Sequence, residues 1–128
     1  MGEYKNRGFL LKQRAFLKLY LYRTIDRSKG YGSQYLDDIR AEFKMLGYRP
    51  THTELYKVLH ELTRDGYVKR EKKIKGEKGV DFQGIILYTL TQEGKAEYEL
   101  YKKQMKVELE RCKDLLEKAL QDNYGPII

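Results

Sequence analysis

Residues 91–123 set the hardest condition on what this chain can fold into. Read at helical period, Tyr98, Tyr101, Met105, Leu109, Cys112, Leu116 and Ala119 fall along one stripe. Thr91 is placed to cap the helix, which runs to about Asn123. At a rise of 1.5 Å per residue, about 32 residues span roughly 48 Å. A chain of 128 residues builds one hydrophobic core rather than two. Such a helix outruns a single small domain, so part of its stripe has to be covered from outside.

Charge divides the chain in the same place. The formal net charge is +7. Residues 1–90 carry 19 Lys and Arg against 11 Asp and Glu, whereas residues 91–128 carry 7 against 8. The basic surplus therefore belongs to the first two-thirds, and it favours nucleic acid or an anionic surface as partner. The one cysteine, Cys112, excludes an internal disulfide. The N-terminal segment lacks the apolar run of a signal peptide, and no stretch reaches the ~18 apolar residues of a membrane span. A cytoplasmic protein with no membrane partner is the expectation.

The elements follow from period and punctuation. Residues 1–7 are polar and basic and read as a flexible arm. From Gly8 to about Ile25 the chain is helix-compatible and apolar on most sides, so that helix should be largely buried. "DRSKGYGS", 26–33, reads as a loop. A second helix from about Gln34 to Leu46 has Leu36, Ile39, Phe43 and Leu46 on one face, with Gly47 as a left-handed cap. Thr51 and Glu54 form a T-x-x-E capping box after Pro50, and Leu55, Val58, Leu59 and Leu62 mark the buried face of a third helix. Residues 67–75 suit a basic strand, 76–79 ("GEKG") a turn, and 82–90 a returning strand with Phe82, Ile86, Tyr88 and Leu90 available to one face.

Helix, helix, capped helix, basic hairpin is the order of a winged helix-turn-helix, an α+β fold. Thr53, Lys57, His60 and Arg64 lie opposite the buried leucines of the third helix. Its first turn exposes Thr51, His52, Thr53 and Tyr56. Short polar residues at a helix tip can reach base edges in the major groove. Basic residues further along, and in the hairpin, can hold phosphates. The pattern points to double-stranded DNA. The bland alternative, a face charged only to stay solvated, does not explain why capped helix, basic hairpin and basic arm occur in this order.

Catalysis finds no support. His52 and His60 are more than two helical turns apart and lack a third ligand at zinc spacing. Cys112 sits on the apolar stripe without a nearby histidine. The glycines of "GYG" and "GEKG" form no phosphate loop, and Asp37 and Asp38, adjacent on a helix, point apart. No metal, cofactor or enzymatic activity is expected.

Three blocks carry a resemblance: "GFLLKQRAFLKLY" at 8–20, "EFKMLGYRPTHTELYKVLHEL" at 42–62 and "LYKKQMKVELERCKDLLEKALQDN" at 100–123. They resemble the replication terminator protein family of Gram-positive bacteria, dimeric winged-helix proteins that bind terminator sites and arrest replication forks. The resemblance implies DNA contacts at Lys12, Arg14, Arg49, Thr51, His52, Thr53, Tyr56 and Lys57, and from the wing at Lys69, Lys72, Lys73 and Lys75. It implies a homodimer in which the last helix pairs antiparallel with its twin, as a coiled coil that covers the stripe. It also implies the replicative helicase as a partner, met around 28–31. Tyr31 matches the family there, and Ser28 stands where the family pattern is acidic. The domain plan is then a winged-helix DNA-binding unit with a basic arm over 1–90 and a dimerisation helix over 91–128, one compact body associated with the nucleoid.

A second resemblance shares this architecture. "YTLTQEG", 88–94, is similar to the strand-to-helix junction of PadR-like transcriptional repressors. A third possibility, a dimeric scaffold whose basic face meets acidic protein or RNA, ranks last, because the short polar helix tip suits base edges better.

Overall fold

Leu55, Val58, Leu59 and Leu62 are all fully buried, and around them the chain closes a three-helix core. The computed structural model describes residues 8–28, 30–75 and 83–125. In chain order the elements are α1 (Gln13–Arg27), α2 (Gly32–Glu42), a 3₁₀ turn (Lys44–Leu46), α3 (His52–Arg64), β1 (Val68–Lys75), β2 (Gln83–Leu90) and α4 (Gln92–Tyr124). This is an α+β winged helix-turn-helix with a two-stranded antiparallel wing and a long C-terminal helix. The expected arm at 1–7 and the turn at 76–79 lie outside the described residues, as does Phe82.

Helix α1 is central and packs against α2, α3, α4 and β2. It buries Leu17, Leu21, Tyr22 and Ile25. Its half-buried Phe16 and Tyr20 meet Phe43 and Tyr48 in an aromatic cluster with ring centroids 4.7 to 5.5 Å apart, mostly edge to face. The helix begins later than its hydrophobicity suggests. Gly8 to Leu11 run instead along α4, where the Arg111 guanidinium donates to the carbonyls of Gly8 (2.8 Å) and Phe9 (3.1 Å). The Leu11 N–H points to the Cys112 sulfur at 3.3 Å. These tertiary partners take the polar backbone that a further helical turn would have used.

The second helix also ends early. Phe43 leaves helical geometry, and Lys44–Leu46 tighten into a 3₁₀ turn closed by Gly47 at φ 76. A 3₁₀ turn advances about 120° per residue instead of 100°. Leu46 is thereby turned off the buried face on which the 3-4-3 spacing placed it, and is 76% exposed. Its neighbour Met45 is 92% exposed. The connection from α1 to α2 is shorter than the expected loop and is pinned by one tyrosine. The buried Tyr35 hydroxyl accepts from Gly30 N–H at 2.8 Å and lies 3.1 Å from the carbonyls of Ser28 and Tyr88. Gly30 pairs in turn with Tyr88, adding a bridge to the edge of the wing.

The wing pairs Val68 with Leu90 through Lys75 with Gln83. Thr91 ends β2 and caps α4: its oxygen accepts from Gly94 N–H at 2.9 Å while its hydroxyl donates to the Gly66 carbonyl at 2.7 Å. Gly94 is buried with its Cα against the Tyr67 carbonyl, and a Cβ there would overlap that backbone oxygen. The first turn of α4 thus docks on the turn after α3 through the Thr91 hydroxyl and the close backbone approach of Gly94, and Tyr98 continues into the core. Gly94→Ala should lower unfolding stability by about 1–3 kcal/mol, because the clash is with backbone that cannot rotate away. Glu93→Ala, at an exposed position one residue earlier, should change it by less than about 0.5 kcal/mol. Urea unfolding of the two variants measures both.

Candidate nucleic-acid interface

Helix α3 is held at its entrance and along its buried face. The Thr51 side chain accepts from Glu54 N–H at 3.1 Å and its hydroxyl donates to the Glu54 carboxylate at 2.9 Å. The Arg40 guanidinium donates to the Pro50 carbonyl at 2.9 Å, which fixes the approach of the chain to the helix. With four aliphatic residues buried, Thr53, Lys57, His60 and Arg64 are all exposed on the opposite side. Thr51 and His52 are exposed at the tip. Tyr56 is half-buried: its ring stacks on His52 at 4.3 Å and its hydroxyl lies against Gly32 in α2. Burial pushes the Tyr56 hydroxyl pKa up, so it stays a neutral donor.

An acidic side chain beside the middle of this face is neutralised from α1. Glu61 accepts from the Arg14 guanidinium of α1 at 2.8 Å. Lys12 occupies the N-cap position of α1, and Arg49 is exposed in the turn before α3. A shallow groove beside the helix brings Arg14, His52, Thr53, Tyr56 and Lys57 to one surface. Tyr31 is the N-cap residue of α2, 39% exposed, and lines a second cleft between α3 and the wing.

The wing cations divide by strand parity. Val68, Arg70 and Lys72 share one face, and Lys69, Glu71 and Lys73 share the other. Glu71 takes both of its neighbours, Lys69 at 3.3 Å and Lys73 at 3.6 Å. Lys72 lies across Gly84 of the partner strand. Lys75 pairs with Gln83 at the last described rung.

The stripe of α4 is shared between the chain's own core and its surface. Tyr98 stacks on Tyr22 at 5.3 Å, the Tyr101 hydroxyl donates to the Ala15 carbonyl at 2.8 Å, and Met105 and Cys112 are buried. Tyr98 and Tyr101 face their own α1, and Cys112 faces the strap at 8–11. Leu109 is half-buried beside Phe16, Leu19 and Tyr20, whereas Leu116 is 51% exposed and Ala119 and Leu120 are exposed as well. The part of the stripe left open therefore starts at Leu109 and runs toward the C-terminus, while Leu100 and Val107 are exposed off the stripe. A helical wheel cannot show this, because it does not say where α1 stops.

Residues 8–124 match the replication terminator protein family. A Replication termination protein of Bacillus subtilis is 50% identical over 117 residues, covering 91% of this chain and 93% of its own. The chain belongs to the replication terminator protein family. Solved structures share its fold at lower identity. A transcriptional regulator from Clostridium thermocellum superposes with a TM-score of 0.61 at 19% identity, over 90% of this chain and 99% of its own. The Bacillus subtilis PadR protein, solved with operator DNA, gives 0.55 at 23% identity, over 67% and 45%.

Within this family member, two features escaped the sequence reading. The Arg14–Glu61 pair joins residues 47 positions apart, and no spacing rule links them. Arg70 was submerged in a run of wing charges, although its place on the Val68 face follows from period alone. Among the described residues no group of three His, Cys, Asp or Glu side chains comes together as a metal site, and no helix is long and apolar enough to cross a membrane.

Proposed function

We propose that the chain binds replication terminator DNA as a homodimer, with α3 in the major groove and the wing on the flanking backbone, and that the bound dimer blocks the replicative helicase. The observation that carries the reading is the outward face of α3. It is a rigid, capped helix presenting Thr53, Lys57, His60 and Arg64, within a chain half identical to a replication termination protein. Thr51, His52, Thr53 and Tyr56 at the tip reach base edges. Lys12, Arg49, Lys57 and cations of the wing hold phosphates. Arg14 serves there chiefly by cancelling Glu61, which would otherwise repel the backbone.

Duplex binding should be steeply salt-dependent. Six to ten phosphate contacts per dimer imply a fall of roughly 10³–10⁵ in affinity between 50 and 200 mM salt. Thr53→Ala should relax discrimination between a terminator duplex and random duplex by about 1–3 kcal/mol while leaving the salt slope unchanged. A flat salt response, or specificity indifferent to Thr53, refutes the reading.

The dimer should form on the apolar surface from Leu109 to Ala119. Light scattering at micromolar concentration is expected to give twice the chain mass. Leu116→Asp, which puts a charge into that interface, is expected to give the single-chain mass with retained helical content.

Helicase arrest has a separate readout. Tyr31, exposed at the tip between α1 and α2, is the proposed contact. Tyr31→Ala should lower arrest in a helicase-displacement assay by more than its loss of duplex affinity accounts for. Arrest that simply follows affinity across variants would make the dimer a plain barrier. If the parent chain arrests no helicase on its best site, the PadR-like reading, transcriptional regulation, takes its place.

A further inference from the structure

The wing carries more cations than it can point at one strand of DNA, and the register decides which of them face α3. Val68 is buried, and so is Tyr88, the cross-strand partner of Arg70. The Val68–Arg70–Lys72 face is therefore the one turned toward the helices, and Lys69 and Lys73 point away. The reverse face is also weaker electrostatically, because Glu71 sits between its two lysines. On the inner face Arg70 has no ion pair or hydrogen bond among the described residues, and no acidic side chain alternates with it.

Arg70 lines a cleft of about 650 Å³ between wing and recognition helix. His60 and Arg64 of α3 line the same cleft, and Tyr56, Ile86 and Tyr88 supply its apolar lining. Arg64 gives only its Nε to a protein acceptor, Asp65 at 3.2 Å. Lys72 reaches the edge of the cleft over Gly84. Two elements thus turn guanidinium groups with unused donors into one apolar-lined cleft that no described carboxylate lines. Guanidinium forks match phosphate oxygens in pairs, and an apolar lining suits the edge of a deoxyribose.

We propose that this cleft seats a backbone phosphate of the strand flanking the major groove, held by Arg64 from α3 and by Arg70 and Lys72 from the wing, and that Lys69 and Lys73 do not touch DNA. The proposal rests on the reading that α3 enters the major groove. It narrows the wing contacts from a charge run to one face.

The test compares the full-length chain with Arg70→Gln, Arg70→Lys, Lys72→Gln and Lys73→Gln on a terminator duplex and on random duplex, across 50 to 300 mM KCl. Arg70→Gln should weaken binding about tenfold per protomer, the loss of one charge-assisted contact in each. It should also reduce the salt slope by about one per protomer, alike on both duplexes. Lys72→Gln should reduce the slope similarly, Arg70→Lys should restore the slope, and Lys73→Gln should leave affinity within twofold. A Lys73→Gln loss equal to that of Arg70→Gln overturns the proposal, as does an Arg70→Gln chain with the parental slope. In both cases the parent still binds, so the major-groove reading stands. A parent chain without duplex affinity removes that reading and this one together.

Discussion

The burial of Leu55, Val58, Leu59 and Leu62 fixes the rotation of α3, and everything proposed for the protein depends on that rotation. Turning the helix by one residue, about 100°, would take a leucine out of the core and bring a charged side chain in. Each fully buried aliphatic side chain contributes roughly 1.5–3 kcal/mol relative to exposure, so three leucines and a valine lock the angle against thermal motion. The face opposite is therefore rigid and defined to the residue: Thr53, Lys57, His60 and Arg64. The Thr51–Glu54 cap and the Arg40–Pro50 hydrogen bond fix where that face begins.

The wing and the last helix are built onto this unit by tight junctions as well as by the buried side chains of Val68, Tyr88 and Tyr98. Thr91 binds Gly66, Gly94 meets Tyr67, and Tyr88 bridges Gly30. Backbone junctions leave little rotational freedom, so the distance from wing to α3 is set by the fold and not by flexible side chains. A cleft between two such elements is preorganised, which lowers the ordering cost of seating a charged ligand. At the far end, α4 spends its first turns on the core and leaves Leu109 half-buried and Leu116 and Ala119 exposed.

Much of this was legible in the sequence because it rests on local rules. The capping box, the i, i+3, i+4, i+7 leucines, the Gly47 cap and the Thr91 cap each appear where period and punctuation place them. Most of what failed to show depends on partners far away in the chain. Arg111 claims the carbonyls of Gly8 and Phe9, and so starts α1 at Gln13 instead of Gly8. A local tightening to 3₁₀ geometry exposes Leu46. Tyr98 and Tyr101 look identical on a wheel to Leu116, and only the end of α1 distinguishes buried stripe from open stripe. At the candidate interface the polar tip residues and Lys57 were readable. The neutralisation of Glu61 by Arg14 and the opposed faces of the wing lysines were not, since both are tertiary facts.

The central claim is that the outward face of α3 lies in the major groove. Placing a cleavage reagent on that face tests it most directly. A Thr53→Cys chain with Cys112→Ser, carrying an iron–EDTA chelate at position 53, can be bound to the chain's highest-affinity genomic duplex and triggered to cut. Cuts confined to the bases of each half-site, with the offset between strands that marks the major groove, are the expected result. Cuts spread evenly along the duplex, or cutting that appears only when the chelate is moved to position 116 at the far end of the molecule, would show that DNA lies elsewhere.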